Sequence, residues 1–321
     1  MRIGGTFALA ALVASRVNPG DLLTVARRID LRYILPLLLL FGLERTLIAA
    51  RWSILVRLKG HTFPVARALQ IDLVSGFFGV ALPSLATSDA VRGYTLFRQI
   101  NDLRTAISAL VFDRLLGITT LSLLALAGLF AGRGLLPGGA PLVWIVFTVL
   151  AATAGLLIAA RTPWSQRLLS RGTLLDRLPR GGHARAVWSD FFHYQRSAGS
   201  VALVFLLSAL TQIIRVVVTL AAARAAGSTL PLVYFFLFVP VVFVVLMLPI
   251  SLGGIGAREA SLALLFTSAG HPAEEGILAG ILITLLTLAF ALVGAILYAR
   301  GVPSRCKPAL DPSAGSSSPA D

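Results

Sequence analysis

Ionisable side chains interrupt the long apolar runs of this 321-residue chain. In the second run Glu44 and Arg51 share one helical face, with Arg45 beside them; Asp72 stands in the next, and Asp113 with Arg114 in the one after. Gln212 and Arg215, then Arg258 and Glu259, follow the same pattern further on. A charge at the centre of a bilayer costs roughly 2.5–3.5 kcal/mol on the most lenient scale, so a set of this size implies a shared polar interior in which acids and arginines pair across helices. For any single residue the plainer alternative is a structural pair, or a long side chain reaching back to the interface. Guanidinium forks fit phosphate oxygens two at a time and keep their charge when desolvated, so the chemistry this set offers is recognition of an anion.

Two further segments break the helical pattern. Leu82-Pro83-Ser84-Leu85-Ala86-Thr87-Ser88-Asp89-Ala90-Val91-Arg92 stops a run at proline, then sets Asp89 and Arg92 one turn apart on a new helix that Thr87 or Ser88 would cap. Free backbone N–H groups with an arginine one turn in form a natural anion site, whereas an ordinary interfacial turn with a local Asp–Arg pair is the alternative. The second, Pro249 to Glu259, brings Pro249, Gly253, Gly254 and Gly256 together at membrane depth, where irregular backbone survives only when buried in protein or lining a wet cavity. It is not a dinucleotide loop: no strand precedes it, and Glu259 stands at the position of the third glycine.

Composition frames these residues. The chain is 57% hydrophobic and 13% charged, with a mean hydropathy of +0.86, which excludes a water-soluble globular domain. Apolar runs near 3–15, 33–56, 64–83, 104–131, 141–160, 199–226, 231–248, 250–269 and 273–299 predict membrane helices, about 20 residues being enough to cross. The first is read as a short span or half-helix rather than a cleaved leader. The fold class expected is all-α: a polytopic bundle of eight or nine transmembrane helices with a re-entrant or broken helix. One cysteine, Cys306, excludes internal disulfides and cysteine-based metal clusters, and the four histidines lack ligand spacing.

Strict alternation along these runs sorts the net charge of +14 by side. Arg16, Arg27, Arg28, Arg32, Arg92, Arg98, Arg104, the arginines of 161–196, Arg300, Arg305 and Lys307 fall on one side, which the positive-inside rule makes cytoplasmic. Arg2, Arg57, Lys59, Arg67, Arg133 and Arg224 fall on the other. The basic excess is therefore mainly topological, and nucleic acid is not expected as a partner. Residues 1–307 form the membrane domain, and 308–321, rich in Pro, Ser, Gly and Ala, a disordered tail. The 161–198 loop mixes Trp164, Leu168, Leu169, Trp188, Phe191 and Phe192 with arginines, which suits helices lying on the membrane surface or a solvated connector.

In order and spacing, Arg51-Trp52, Pro83 to Arg92, Phe112-Asp113-Arg114-Leu115-Leu116-Gly117 and Pro249 to Glu259 resemble the lysylphosphatidylglycerol synthase transmembrane family, a flippase-like group, over residues 30–300. Asp89 and Arg92 match its Gly-Asp-x-x-Arg element with Ser88 in place of the glycine; Asp113-Arg114 matches a Glu-Arg position, and Arg258-Glu259 a terminal Arg-Glu pair. The resemblance implies movement of phospholipid or lipid-linked headgroups between leaflets, or a supporting role in envelope lipid metabolism. Full-length lysylphosphatidylglycerol synthases add a soluble aminoacyl-transfer domain; the 21 residues after Arg300 hold none, so a stand-alone membrane domain without lysine transfer is expected.

The leading expectation is a multi-pass protein of a bacterial or archaeal cytoplasmic membrane, C-terminus cytoplasmic, that binds an anionic headgroup and assists its passage. Arg92, Arg114 and Arg258 would bind the headgroup; Asp89, Asp113 and Glu259 would hold those arginines; Glu44, Arg51 and Arg215 would support the interior. Pro249, Gly253, Gly254 and Gly256 would form a flexible break. No catalytic residue, metal or cofactor is expected. Expected partners are membrane phospholipids or lipid-linked intermediates, with a second copy or an envelope enzyme left open. Rival readings are a membrane-embedded lipid or polyprenyl-phosphate transferase, which should show acidic metal ligands in a soluble domain, and a non-catalytic scaffold using Gly128-xxx-Gly132 and Gly276-xxx-Gly280 contacts.

Overall fold

The apolar runs fold as helices. The computed structural model describes residues 29–81, 85–131, 140–159, 162, 189–191, 194, 197–247 and 254–301. After a 3-10 turn, Leu31–Tyr33, come α1 (Ile34–Arg57), α2 (Val65–Ala81), α3 (Leu85–Ile100), α4 (Leu103–Ala131), α5 (Ala140–Ala159), α6 (Ala198–Ala225), α7 (Leu232–Met247), α8 (Ala257–Ser268) and α9 (Ala273–Ala299). No strand occurs among the described residues, so the chain is all-α there. The first apolar run, most of the 161–198 loop with Trp164, Leu168, Leu169, Trp188 and Phe192, and the 308–321 tail lie outside the described residues.

Start signals agree with the sequence. Pro36 sits in the first turn of α1, where its missing N–H has no helical partner to lose, and Pro272 precedes α9. Asp102 caps α4: its carboxylate accepts the Thr105 N–H at 3.0 Å. Four helices, α1, α4, α6 and α9, are long and apolar enough to span a bilayer. Leu35, Leu39, Leu206, Leu264 and Leu292 stand largely exposed, as befits side chains facing acyl tails.

The shorter helices make two hairpins. In the first, α2 and α3 run out and back, with Gly79 so close to Ser88 that a Cβ at Gly79 would lie 2.8 Å from the serine Cβ. Both outer ends of this hairpin are at one end of the bundle: His61, before α2, meets Asp102, after α3, at 3.4 Å. Asp190 lies at the same end, where it pairs with Lys59 at 2.6 Å and Arg104 at 2.7 Å. We call this the loop end. Phe191 is buried there against Phe112, 5.4 Å between rings, so this aromatic joins the core and not the membrane surface.

The second hairpin enters from the far end. Helix α6 begins at the loop end and rises about 40 Å over its 28 residues. At its far end Ala225 accepts the Asp30 N–H at 3.1 Å, which places the start of α1 there. From that end α7 descends and α8 returns, Phe266 near the end of α8 packing on Phe235 and Phe238 near the start of α7. Pro240 lies inside α7 and leaves the Phe236 carbonyl without its helical donor. Gly128 of α4 fills that gap, its missing side chain letting α4 approach the Phe236 backbone. Gly276 and Gly280 likewise admit α8, so these glycines serve packing within the chain.

The hairpins overturn the alternation drawn from the apolar runs. Residues 85–100 form a helix that returns the chain to the end it left, so Arg57, Lys59 and Arg67 share the loop end with Arg98, Arg104 and Asp190. Arg32 moves to the far end for the same reason. Of the described basic residues outside the interior, the loop end carries Arg57, Lys59, Arg67, Arg98, Arg104 and Arg300, and the far end Arg32 and Arg224. Both hairpins also place an arginine nine residues after a proline, in Leu82-Pro83…Arg92 and Leu248-Pro249…Arg258.

Two apolar clusters fill the bundle. One joins Leu37 and Phe41 of α1 to α6, α7, α8 and α9; the other joins Ala49, Trp52, Leu55 and Val56 of α1 to α2, α3, α4 and the 191–194 segment. Between them along α1 lie Glu44 and Arg45.

Candidate functional site

Glu44 is 2% exposed and faces α6, where its Oε1 accepts two N–H groups of Arg215 at 2.7 and 3.0 Å. Arg215 also donates to Gln212 Oε1 at 2.9 Å and lies over the Phe243 ring at 4.9 Å. Gln212 in turn donates to the Gly117 carbonyl at 3.2 Å, tying α6 to α4. Two turns down α1, Arg51 donates to Ser208 at 2.8 Å and pairs with Asp113 at 3.1 Å. Each guanidinium thus bridges two helices, which is how a buried charge becomes tolerable in hydrocarbon.

The first hairpin is braced by ion pairs. Arg92 on α3 donates to Asp72 on α2 and stacks over Trp52 at 5.4 Å, while Asp89 accepts from Arg114 on α4. Asp72 also lies 3.7 Å from Arg45. Helix α3 starts at Leu85, which puts Ser88 inside the first turn and not at the cap expected from sequence. The local Asp89–Arg92 pair does not form; each of these residues serves a different helix.

The second hairpin is arranged differently. Gly254 and Gly256 adopt φ of 85° and 81°, left-handed values that glycine reaches without penalty, and they turn the backbone into α8. Glu259 takes the Gly256 N–H at 2.7 Å and the Thr284 hydroxyl of α9 at 2.6 Å. Thr284 accepts from Arg258 at 2.8 Å, so the acid reaches the arginine only through a hydroxyl. Pro249 and Gly253 lie outside the described residues.

All the charged candidates therefore belong to one connected interior, but with other partners than chain proximity suggests. Asp89 holds Arg114, Asp113 holds Arg51, and Arg92 is held by Asp72. Asp72, Arg45, Thr284 and Ser208 were not singled out as site residues. Asp72 and Arg45 carried a signal, each being a charge in an apolar run; a threonine or serine in such a run carries none. No group of three or more His, Cys, Asp or Glu side chains among the described residues is placed to hold a metal ion.

A second polar group closes the loop end. Lys59, Arg104 and Asp190 meet beneath Tyr194, whose ring carries Lys59 at 5.0 Å and whose hydroxyl lies 3.4 Å from Ser108. Burial pushes the Tyr194 phenol well above its usual pKa. This group fastens the 189–194 segment onto the bundle.

Spanning helices, two opposed hairpins and a buried charge network define a helical multi-pass membrane protein. The family model of the lysylphosphatidylglycerol synthase TM region matches residues 2–295, and the chain belongs to that family. No curated protein and no solved structure matches it.

Proposed function

We propose that the protein binds the anionic headgroup of a phospholipid or lipid-linked intermediate among its interior arginines and assists passage of that headgroup between leaflets. One observation carries the reading: a set of hydrogen-bonded arginines inside the helical bundle, Arg51 buried and Arg92, Arg114, Arg215 and Arg258 half-buried, contributed by both hairpins and by α1, α4 and α6. Arg92, Arg114 and Arg258 are the headgroup candidates, with Asp89, Asp113 and Glu259 as supporting acids. Such a path lowers the cost of carrying a phosphate through hydrocarbon by offering fixed donors in place of water. The loop end, richer in basic residues, is assigned to the cytoplasm of a bacterial or archaeal inner membrane, and the C-terminus with it.

The test is leaflet exchange of fluorescent phosphatidylglycerol and phosphatidylcholine in proteoliposomes containing the purified chain. Exchange that favours the anionic probe and is lost in Arg258→Gln is expected. Exchange no faster than in protein-free vesicles, from folded protein supplied with host lipids, would sink the translocation reading in favour of a transferase or scaffold.

A further inference from the structure

The charge inventory of the interior does not balance. Among the described residues, six arginines lie in the interior: Arg45, Arg51, Arg92, Arg114 and Arg215 within helices, and Arg258 in the first turn of α8. Five carboxylates accompany them: Glu44, Asp72, Asp89, Asp113 and Glu259. Four of the arginines have a close carboxylate, as Arg51 has Asp113, Arg92 has Asp72, Arg114 has Asp89 and Arg215 has Glu44. The fifth acid, Glu259, spends its two oxygens on Gly256 and Thr284.

Arg45 and Arg258 are the two left over. Arg45, half-buried, shares Asp72 with Arg92 at the longer distance of 3.7 Å, its Nε, like those of Arg51 and Arg92, is buried without a hydrogen-bond partner, and its guanidinium rests over Phe41 at 4.9 Å. Among the described residues Arg258 makes no carboxylate ion pair and bonds only the Thr284 hydroxyl. Its second terminal nitrogen lies 3.8 Å from the point where a Cβ on Gly254 would stand. Both arginines lie within electrostatic reach of Glu44, and so belong to one field. A buried charge without a partner is among the most expensive features a protein can keep, and is retained where a ligand completes it.

We infer that Arg45 of α1 and Arg258 at the start of α8 form the seat for one phosphodiester monoanion, and that, of the headgroup candidates named above, Arg92 and Arg114 serve instead as braces between helices. The inference rests on the headgroup reading above and narrows it. A single negative charge closes the inventory, Arg258 presents its second terminal nitrogen beside Gly254 and Leu246, and Arg45 supplies an unbonded Nε. The shared chemistry is that of a phosphate carrying one charge, and its source is a glycerophospholipid headgroup or free phosphate.

The seat has a signature that a structural arginine would not give. Because the charge is uncompensated in the empty protein, Arg258→Gln should raise the melting temperature of the lipid-free chain in neutral detergent, whereas loss of a structural pair lowers it. Added phosphatidylglycerol should raise the wild-type melting temperature by about 5 °C. Diacylglycerol, which lacks the phosphate, should not. That shift should vanish in Arg258→Gln and Arg45→Gln, shrink in Arg258→Lys, and persist in Lys59→Gln/Asp190→Asn, a charge-neutral change at the loop end.

A lower melting temperature for lipid-free Arg258→Gln, or a full phosphatidylglycerol shift in that variant, overturns the seat. Inorganic phosphate reproducing the whole shift overturns the lipid source. The two readings fail separately. Wild type that shows the shift but exchanges no lipid keeps the seat and removes translocation; exchange that survives in Arg258→Gln keeps translocation and removes the seat.

Discussion

Removing Glu44 should be one of the most damaging single changes in the membrane interior. Its Oε1 accepts two N–H groups of Arg215, and the residue is 2% exposed. Opposite charges about 4 Å apart attract by roughly 4 kcal/mol at an effective dielectric constant near 20. Taking one partner from a buried pair costs about 3–5 kcal/mol, because the survivor is stranded. In Glu44→Gln the stranded group, Arg215, still has Gln212 and the Phe243 ring, which puts the expected loss near the lower end, about 3 kcal/mol. Arg215→Gln should cost a similar amount, and the double variant far less than the two added together. The assay is equilibrium unfolding in mixed micelles for all four proteins, with a coupling energy of about 3 kcal/mol expected. A coupling below about 0.5 kcal/mol would refute the claim that these residues act as one buried pair.

Gly294→Ala should prevent normal packing of α9 on α2, since its Cβ would fall 2.1 Å from the Leu73 carbonyl oxygen; a monodisperse, fully stable variant would contradict the close approach. Asp102→Ala should cost about 1 kcal/mol through loss of the α4 cap, read by thermal unfolding. Burial raises the Asp102 pKa, but hydrogen bonds from the Thr105 hydroxyl and amide, then His61, outweigh it and hold the carboxyl below its usual range. The depressed value means this contribution is full above the ordinary aspartate pKa and fades as pH falls through the folded-state value, so the difference between wild type and Asp102→Ala should shrink in acid. In a Cys306→Ser background, cysteines at Lys59 and Arg104 should label from the same side of sealed vesicles and a cysteine at Asp30 from the other; labelling of 59 and 104 from opposite sides would contradict the first hairpin.

Length and apolarity made most of the helices legible, because a run of about 20 hydrophobic residues has few other fates. Helix α3 was the exception in consequence. Asp89, Arg92 and Arg98 make it read as a connection after Pro83, although a new helix at Asp89 and Arg92 was visible, and treating it as a loop inverted the ends of α1. The charged candidates were found for a sound reason, their cost in hydrocarbon, but their pairing was not readable. A partner is set by the rotation of each helix about its axis, so Asp89 and Arg92, one turn apart, serve α4 and α2 and not each other. Arg258 looked like one half of an Arg-Glu pair, and only the position of Thr284 on α9 shows the acid occupied elsewhere.

The two hairpins also differ in how they could be delivered to the bilayer during synthesis. The first carries its own neutralising pair, Arg92 with Asp72, and can leave the insertion machinery with that charge already cancelled, needing only Arg114 for Asp89. The second brings Arg258 beside Glu259, whose oxygens are taken by Gly256 and Thr284, and the hydroxyl that bonds the arginine is on α9, the last helix described. Its entry is favourable only after α9 has emerged, so assembly of the bundle should run late at this point, with the arginine waiting at the surface until the end of the chain arrives.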